Sequence, residues 1–298
     1  MNRRLLTGLL LALAAGARGA EADWPQFRGP GGQGHASGTI PLEGTTLPSP
    51  TYKVAVPGKG WSSPVVTSGT VFLTSAIPSA DNKSLALTAL AYDLTTGKET
   101  WRTELFKQET GTAPKIHAKN SHASPTPIIA GDKVFVHFGH MGTAALDTKG
   151  KILWKTPGIY TKPVHGNGGS PVLVDNRLVF CCDAMDLQEV VALDAETGNQ
   201  VWKTYTIPGP GEPGNDSWPG DSWKTGGAPT WRSGAYDPEL DLIYWGTGNP
   251  APWPTEGRKG DNLYTTSAIA LDVDTGKIKG HHQYHHNDAW DWDEVSAP

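Results

Sequence analysis

The chain has 298 residues, with 25 Lys and Arg against 30 Asp and Glu for a net charge of -5, and the absence of basic clusters excludes nucleic acid as a partner. Its 36 Gly, 24 Pro and 12 Trp, with few helix-period runs, exclude a helical bundle and set the expectation of an all-β fold of short strands and many turns. The length suffices for one or two large cores.

Residues 1–22 read as a signal peptide. Arg3 and Arg4 precede an apolar run from Leu5 to about Ala17, and Ala20-Glu21-Ala22 supplies a small-x-small cleavage site. The run is too short to span a bilayer, and no other segment approaches the roughly 20 apolar residues that a membrane helix needs. The expectation is a periplasmic or secreted protein without a transmembrane segment once the leader is removed; left uncleaved, the leader would act as an anchor.

From Asp23 onward the chain is organised by a repeat. LAYDLTTGKETW (90–101), AALDTKGKILW (144–154), VALDAETGNQVW (191–202) and IALDVDTGKIKG (269–280) each read as strand, turn and strand. The Asp and Thr can bond local backbone, and the Gly supplies the positive φ of a short hairpin. Trp101, Trp154 and Trp202 recur after the turn, where an indole can be buried between sheets; Gly280 breaks the pattern in the fourth copy. Upstream of each copy lies a Pro and a β-rich stretch, from Ser62, Ser124, Ser170 and Ala228. One repeat is therefore about four strands, the size of a β-propeller blade.

The expectation is a propeller of four-stranded antiparallel blades over 23–298, with about four blades and a Gly, Pro, Asp and Trp-rich loop insertion at 208–226 lying over one face. VSAP at 295–298 reads as the opening of a fifth blade, as expected of a longer ring cut short.

The turn AxDxxTGKxxW resembles the repeat of pyrroloquinoline quinone (PQQ) type β-propellers, which usually have eight blades. The first part, 23–190, with DWPQFRGPGGQG, KNSHASPTP, VHFGHMGTAALD and PVHGNGGSPVLVD, resembles the PQQ-like repeat proteins of planctomycete-type bacteria. The last part, 226–298, with GGAPTWRSGAYDPELDLIYWGTGNPAPW, RKGDNLYTTSAIALDVDTGKIK and NDAWDWDEVSAP, resembles the PQQ-dependent alcohol and methanol dehydrogenases. Two branches in one chain imply a truncated or chimeric member.

The second resemblance implies a site. Trp231 matches the tryptophan under the quinone ring, Asn249 the amide that ligates the metal ion, and Asp291 the catalytic base, which also faces the metal. The intervals agree with the family: 18 residues from Trp231 to Asn249 and 42 more to Asp291. Asp293, two places after the base, resembles the lanthanide-using branch, where an extra anion suits a trivalent ion; calcium is the other candidate. If the segment is extended, Asp291 and Asp293 point to the same side and could share one cation. Without the resemblance the pair reads as a solvated acidic turn. Oxygen donors suit calcium or a lanthanide. The family's metal-ligating glutamate has no counterpart in sequence, since Glu189 lies in the right region but in another context. Cys181 and Cys182 resemble the family's vicinal disulfide against the quinone; two buried strand thiols are the alternative.

The implied function is periplasmic oxidation of a small alcohol by hydride transfer to PQQ, with Ca²⁺ or a lanthanide polarising the quinone carbonyl, a carboxylate taking the hydroxyl proton, and cytochrome c as electron acceptor. The alternative, from another class, is a non-catalytic PQQ-like propeller acting as a binding or assembly scaffold. Two groups of histidines stay open. His281, His282, His285 and His286 read as a metal tract or as an outer strand and loop, and His117, His122, His137, His140 and His165 as the lining of a polar channel or as core and loop hydrogen-bonding groups.

Overall fold

The repeats fold as four antiparallel four-stranded sheets in a computed structural model that describes residues 23–37 and 49–293 apart from 114, 161 and 186. Blade one comprises β1 (Val65–Thr67), β2 (Thr70–Pro78), β3 (Ser84–Asp93) and β4 (Glu99–Glu109). Blade two comprises β5 (Ile128–Ala130), β6 (Lys133–His137), β7 (Gly142–Asp147) and β8 (Ile152–Pro157). Blade three comprises β9 (Val172–Val174), β10 (Arg177–Ala184), β11 (Leu187–Asp194) and β12 (Gln200–Tyr205). Blade four comprises β13 (Ala235–Asp237), β14 (Leu242–Thr247), β15 (Ser267–Asp272) and β16 (Ile278–Gln283). Strands neighbour in chain order throughout, and the short first strands lie where blades meet, β1 against β5 and β9 against β13. The expected signal peptide and the opening of a fifth blade lie outside the described residues. Among those described, no helix is long and apolar enough to cross a membrane.

The repeated turn works as its residue types dictate. Asp93, Asp194 and Asp272 accept the hydroxyl of the Thr three residues on at 2.7, 2.9 and 2.7 Å. Those bonds hold the three carboxyls below their ordinary range. The turn Gly also has a second duty. A Cβ on Gly150, Gly198 or Gly276 would stand 2.7, 2.5 or 2.4 Å from the ring of Trp101, Trp154 or Trp202 of the preceding blade. Each indole N–H donates to the carbonyl after the next blade's Asp: Trp101 to Thr148 at 2.9 Å, Trp154 to Ala195 at 3.0 Å and Trp202 to Val273 at 2.8 Å.

A threonine two places after each Trp completes the clasp. Thr103, Thr156 and Thr204 donate to the carbonyls of Gly150, Gly198 and Gly276 at 2.7, 2.6 and 2.5 Å. At blade one Tyr52 takes the place of the Trp. Its hydroxyl donates to Leu94 O at 2.7 Å, and its ring occupies the space that a Cβ on Gly97 would fill. Trp202→Phe removes one clasp bond and leaves the Val273 carbonyl unpartnered. The expected cost is about 1–2 kcal/mol in urea denaturation, with the slope unchanged.

The core lies between blades. Val65, Leu87, Val136 and Leu146 pack between blades one and two, and Val190, Ile243, Trp245 and Ile269 between blades three and four. The 208–226 insertion packs onto blade four. Trp218 is buried, with its indole N–H donating to Leu263 O, and Tyr264 Oη donates to Pro213 O at 3.0 Å.

Candidate functional site

Loops from several blades open onto one cleft of about 960 Å³. The approach to β13 contributes Trp231 and Arg232, and the loop after β14 contributes Asn249 and Trp253. Asp291 and Asp293 come from the final segment, Asp183 and Gln188 from the hairpin between β10 and β11, and Lys119 from the link between blades one and two. Phe27 and Arg28 arrive from the segment before blade one, tied down where Trp24 pairs with Val66 and Ile129 N donates to Pro25 O at 2.8 Å.

Four of the residues predicted from sequence, Trp231, Asn249, Asp291 and Asp293, are thus brought together. Asn249 is 8% exposed, and its amide nitrogen donates to Oδ1 of Asp291 and, at 3.4 Å, to Oδ1 of Asp293, while Asp293 N donates to the amide oxygen at 3.1 Å. Two carboxylates therefore converge on one amide. The condition of an extended segment is not met: Asp291 and Asp293 lie at φ 62° and 56°, in the left-handed region. The carboxylates meet because a turn is wound around Asp288, whose buried side chain accepts the Trp290 and Trp292 N–H groups at 2.8 and 3.2 Å. Left-handed backbone at residues with a Cβ is a strain that surrounding structure must hold.

Arg258 holds it. This guanidinium is fully buried and donates to Trp253 O at 2.8 Å, Asn262 Oδ1 at 2.8 Å, Asn287 Oδ1 at 2.6 Å and Pro252 O at 2.6 Å, and also to Asp288 O. One side chain thereby clamps the Asn249 loop to the Asp291 segment. A planar fork with five N–H donors suits such a set, and a lysine does not. In sequence Arg258 was indistinguishable from a solvated basic residue.

The metal-ligating atoms of Asp291, Asp293 and Asn249 are oxygens, and His165 also lines the cleft. Among the described residues no three His, Cys, Asp or Glu side chains gather around one point; the group that Asp291 and Asp293 both touch is the Asn249 amide. Turned end for end, that amide directs its oxygen to the point on which both carboxylates converge, giving the hard set that Ca²⁺ or a trivalent ion takes. Glu189 does not contribute: it is fully buried in β11, 3.4 Å from Lys203 Nζ, and burial raises its carboxyl.

Cys181 and Cys182 do not reach the cleft. Both are buried free thiols on β10, and as neighbours on a strand they face opposite ways. Cys181 packs between blades three and four behind Arg232, with Sγ 3.6 Å from its carbonyl, whereas Cys182 packs with Tyr160 and Phe180. Burial pushes both thiols up.

Sequence reasoning missed the cations. Arg28, Lys119 and Arg232 line the cleft, with the Arg232 guanidinium 5.4 Å from the Trp231 ring centroid. They are scattered singly along the chain, so no cluster announced them. Asp183 lies in the wall, and burial pushes its carboxyl up to about 7. A carboxyl raised on folding favours the folded state below its ordinary value of 3.8 and loses that contribution as pH rises through about 7. Asp183→Asn is expected to flatten stability against pH over that window, as read by thermal unfolding, and an unchanged profile would contradict the assignment.

Comparison with known proteins agrees with this architecture. The family model "Glucose/ethanol/alcohol dehydrogenase, beta-propeller domain" matches residues 189–298, and the model "Outer membrane protein assembly factor BamB" matches 49–159 and 88–214. Quinohemoprotein alcohol dehydrogenase ADH IIB of Pseudomonas putida is 37% identical over 68% of this chain and 32% of its own. The lanthanide-dependent methanol dehydrogenase of Methylacidiphilum fumariolicum is 35% identical over 56% of this chain and 31% of its own. The chain thus spans about a third of the length of these curated relatives. The solved structure of a europium-containing methanol dehydrogenase superposes with a TM-score of 0.63 at 29% identity, covering 78% of this chain and 43% of that one. With four blades, the clasped Trp and Gly of the repeat, and family matches from residue 49 to 298, the chain belongs to the PQQ-type β-propeller repeat family.

Proposed function

We propose that the cleft is the cofactor and metal seat of a periplasmic quinoprotein that oxidises small alcohols. The observation that carries this reading is the convergence of Asp291 and Asp293 on Asn249 beside Trp231 in one cleft. A flat indole offers a platform to a flat ring system, and Arg28, Lys119 and Arg232 suit the carboxylates of PQQ. When bound, the quinone supplies the hydride acceptor and the ion withdraws charge from it. Asp291 takes the proton of the alcohol hydroxyl, and the turn wound around Asp288 fixes its direction. Asp293 adds the anion that favours a trivalent ion over Ca²⁺. Electrons then leave to a cytochrome c.

Incubation of the protein with PQQ and either La³⁺ or Ca²⁺, followed by dye-linked oxidation of short alcohols, tests the reading. Asp293→Ala is expected to weaken La³⁺-dependent PQQ binding about tenfold or more while changing Ca²⁺-dependent binding less. Equal loss with both ions would take the trivalent preference away from Asp293, and no loss with either would remove it from the metal set. A second reading, a non-catalytic binding or assembly scaffold, draws on the match of residues 49–214 to the BamB family model; it predicts no PQQ binding with either ion.

A further inference from the structure

The segment before blade one reproduces a part that the other blades supply to their neighbours. On β4, β8 and β12 a Trp and the Thr two places after it lie against one turn glycine of the next blade. A Cβ on that glycine would stand 2.7 Å from Trp101 and 3.0 Å from Thr103 at Gly150, 2.5 and 2.7 Å from Trp154 and Thr156 at Gly198, and 2.4 and 2.8 Å from Trp202 and Thr204 at Gly276. At Gly97 of blade one the same space is taken by Tyr52 at 2.6 Å and Val54 at 2.7 Å, again two residues apart. The Tyr52 hydroxyl donates to Leu94 O, the carbonyl directly after Asp93, as each indole does to the carbonyl after its neighbour's Asp.

Side chains at i and i+2 that reach one point mark extended backbone. Residues 52–56 therefore hold the place of an outermost blade strand, on the side of blade one away from blade two. In each of blades one to three the outermost strand is bonded along its inner edge to the third strand, β4 to β3, β8 to β7 and β12 to β11. Among the described residues no strand pairs with 52–56, and its backbone enters no backbone–backbone hydrogen bond. Tyr52, Val54 and Val56 are 38%, 40% and 43% exposed. An extended, apolar edge with unmet N–H and C=O groups is a template for a further strand.

The register of the complete blades says what the occupant carries. Trp101 stands opposite Ala91, Trp154 opposite Ala145 and Trp202 opposite Ala192, and each Ala lies two residues before the Asp of its turn. A small residue opposite the ring leaves it room to lie against the next blade's glycine. We propose that residues 52–56 are a docking edge for the three inner strands of a further repeat of this kind. The third strand of that meander runs antiparallel to 52–56 and brings the Ala of its Ala-x-Asp opposite Tyr52, so that the docked strands complete a blade against blade one. The inference rests on the packing of blade one alone and stands whether or not the cleft holds PQQ.

The test uses the full chain and, as probe, residues 124–151 fused to a soluble carrier protein, which present the three inner strands β5, β6 and β7 of blade two without their outermost strand. Titration is expected to give saturable binding at one equivalent, and hydrogen exchange read by mass spectrometry should slow across 52–56 by about tenfold or more. Tyr52→Ala in the chain should weaken binding about tenfold or more, and so should Ala145→Trp in the probe, which puts a bulky ring opposite Tyr52. Circular dichroism checks that the Tyr52 variant folds; should it fail, the Ala145 variant still decides, because it leaves the chain untouched. No binding, binding indifferent to Ala145→Trp, or protection that falls outside 52–56 overturns the proposal. So does self-association of the chain that protects 52–56 without the probe, which would give the edge to a second copy.

Discussion

Asp291→Asn is expected to lower kcat for alcohol oxidation by about 10²–10⁴-fold, the usual worth of a positioned general base, while PQQ binding changes far less. The substitution keeps size and an oxygen donor and removes the charge that receives the proton. Asp291 lies against Asn249 and on a left-handed backbone held by the Asp288 turn, so its direction is fixed before any ligand arrives. A kcat within tenfold of the original, with PQQ bound, would take the base role away from Asp291. A loss of binding equal to the loss of rate would recast it as a metal ligand alone.

Arg258→Ala is expected to cost about 3–5 kcal/mol of stability, the range for breaking a buried charged network. Its acceptors are Pro252 O, Trp253 O, Asn262 Oδ1, Asn287 Oδ1 and Asp288 O, of which Asn262 and Asp288 belong to buried residues. Arg258→Lys should rescue little, because one ammonium cannot span a fork's worth of acceptors. The loss should also loosen the Asn249 loop from the Asp291 segment, so metal binding falls in whatever fraction stays folded. Urea denaturation with a parallel La³⁺ titration checks both. A shift under 1 kcal/mol, on the scale of an ordinary surface substitution, would show that the clamp is dispensable.

The blades were legible because their signal is local and repeated. Asp, Thr and Gly at fixed offsets specify a hairpin wherever they stand, and three copies with a shorter one at Asp147 exclude accident. The threonine of the clasp was equally regular, as Thr103, Thr156 and Thr204, but its meaning needed the next blade's carbonyl to be seen. Tyr52 was invisible for a related reason, since it substitutes for a Trp in contact rather than in spacing.

The site was legible only as far as family spacing reached. Trp231, Asn249, Asp291 and Asp293 could be named, but whether the two aspartates share a side could be argued only on the condition of an extended chain. Positive φ at an Asp leaves no mark in sequence. Arg28, Lys119 and Arg232 meet across blade boundaries, and Arg258 and Asp288 act through burial that composition does not reveal. The cysteines illustrate the converse. Their adjacency suggested a pair, while the strand that carries them sends one thiol into each of two different cores.

The most direct measurement of the account is equilibrium binding of PQQ to the full chain, followed by tryptophan quenching with La³⁺, with Ca²⁺ and with chelator. The cleft as described predicts saturable, ion-dependent binding at one equivalent that is abolished by Trp231→Ala. Saturation indifferent to the ion, or no saturation with any ion, would contradict it.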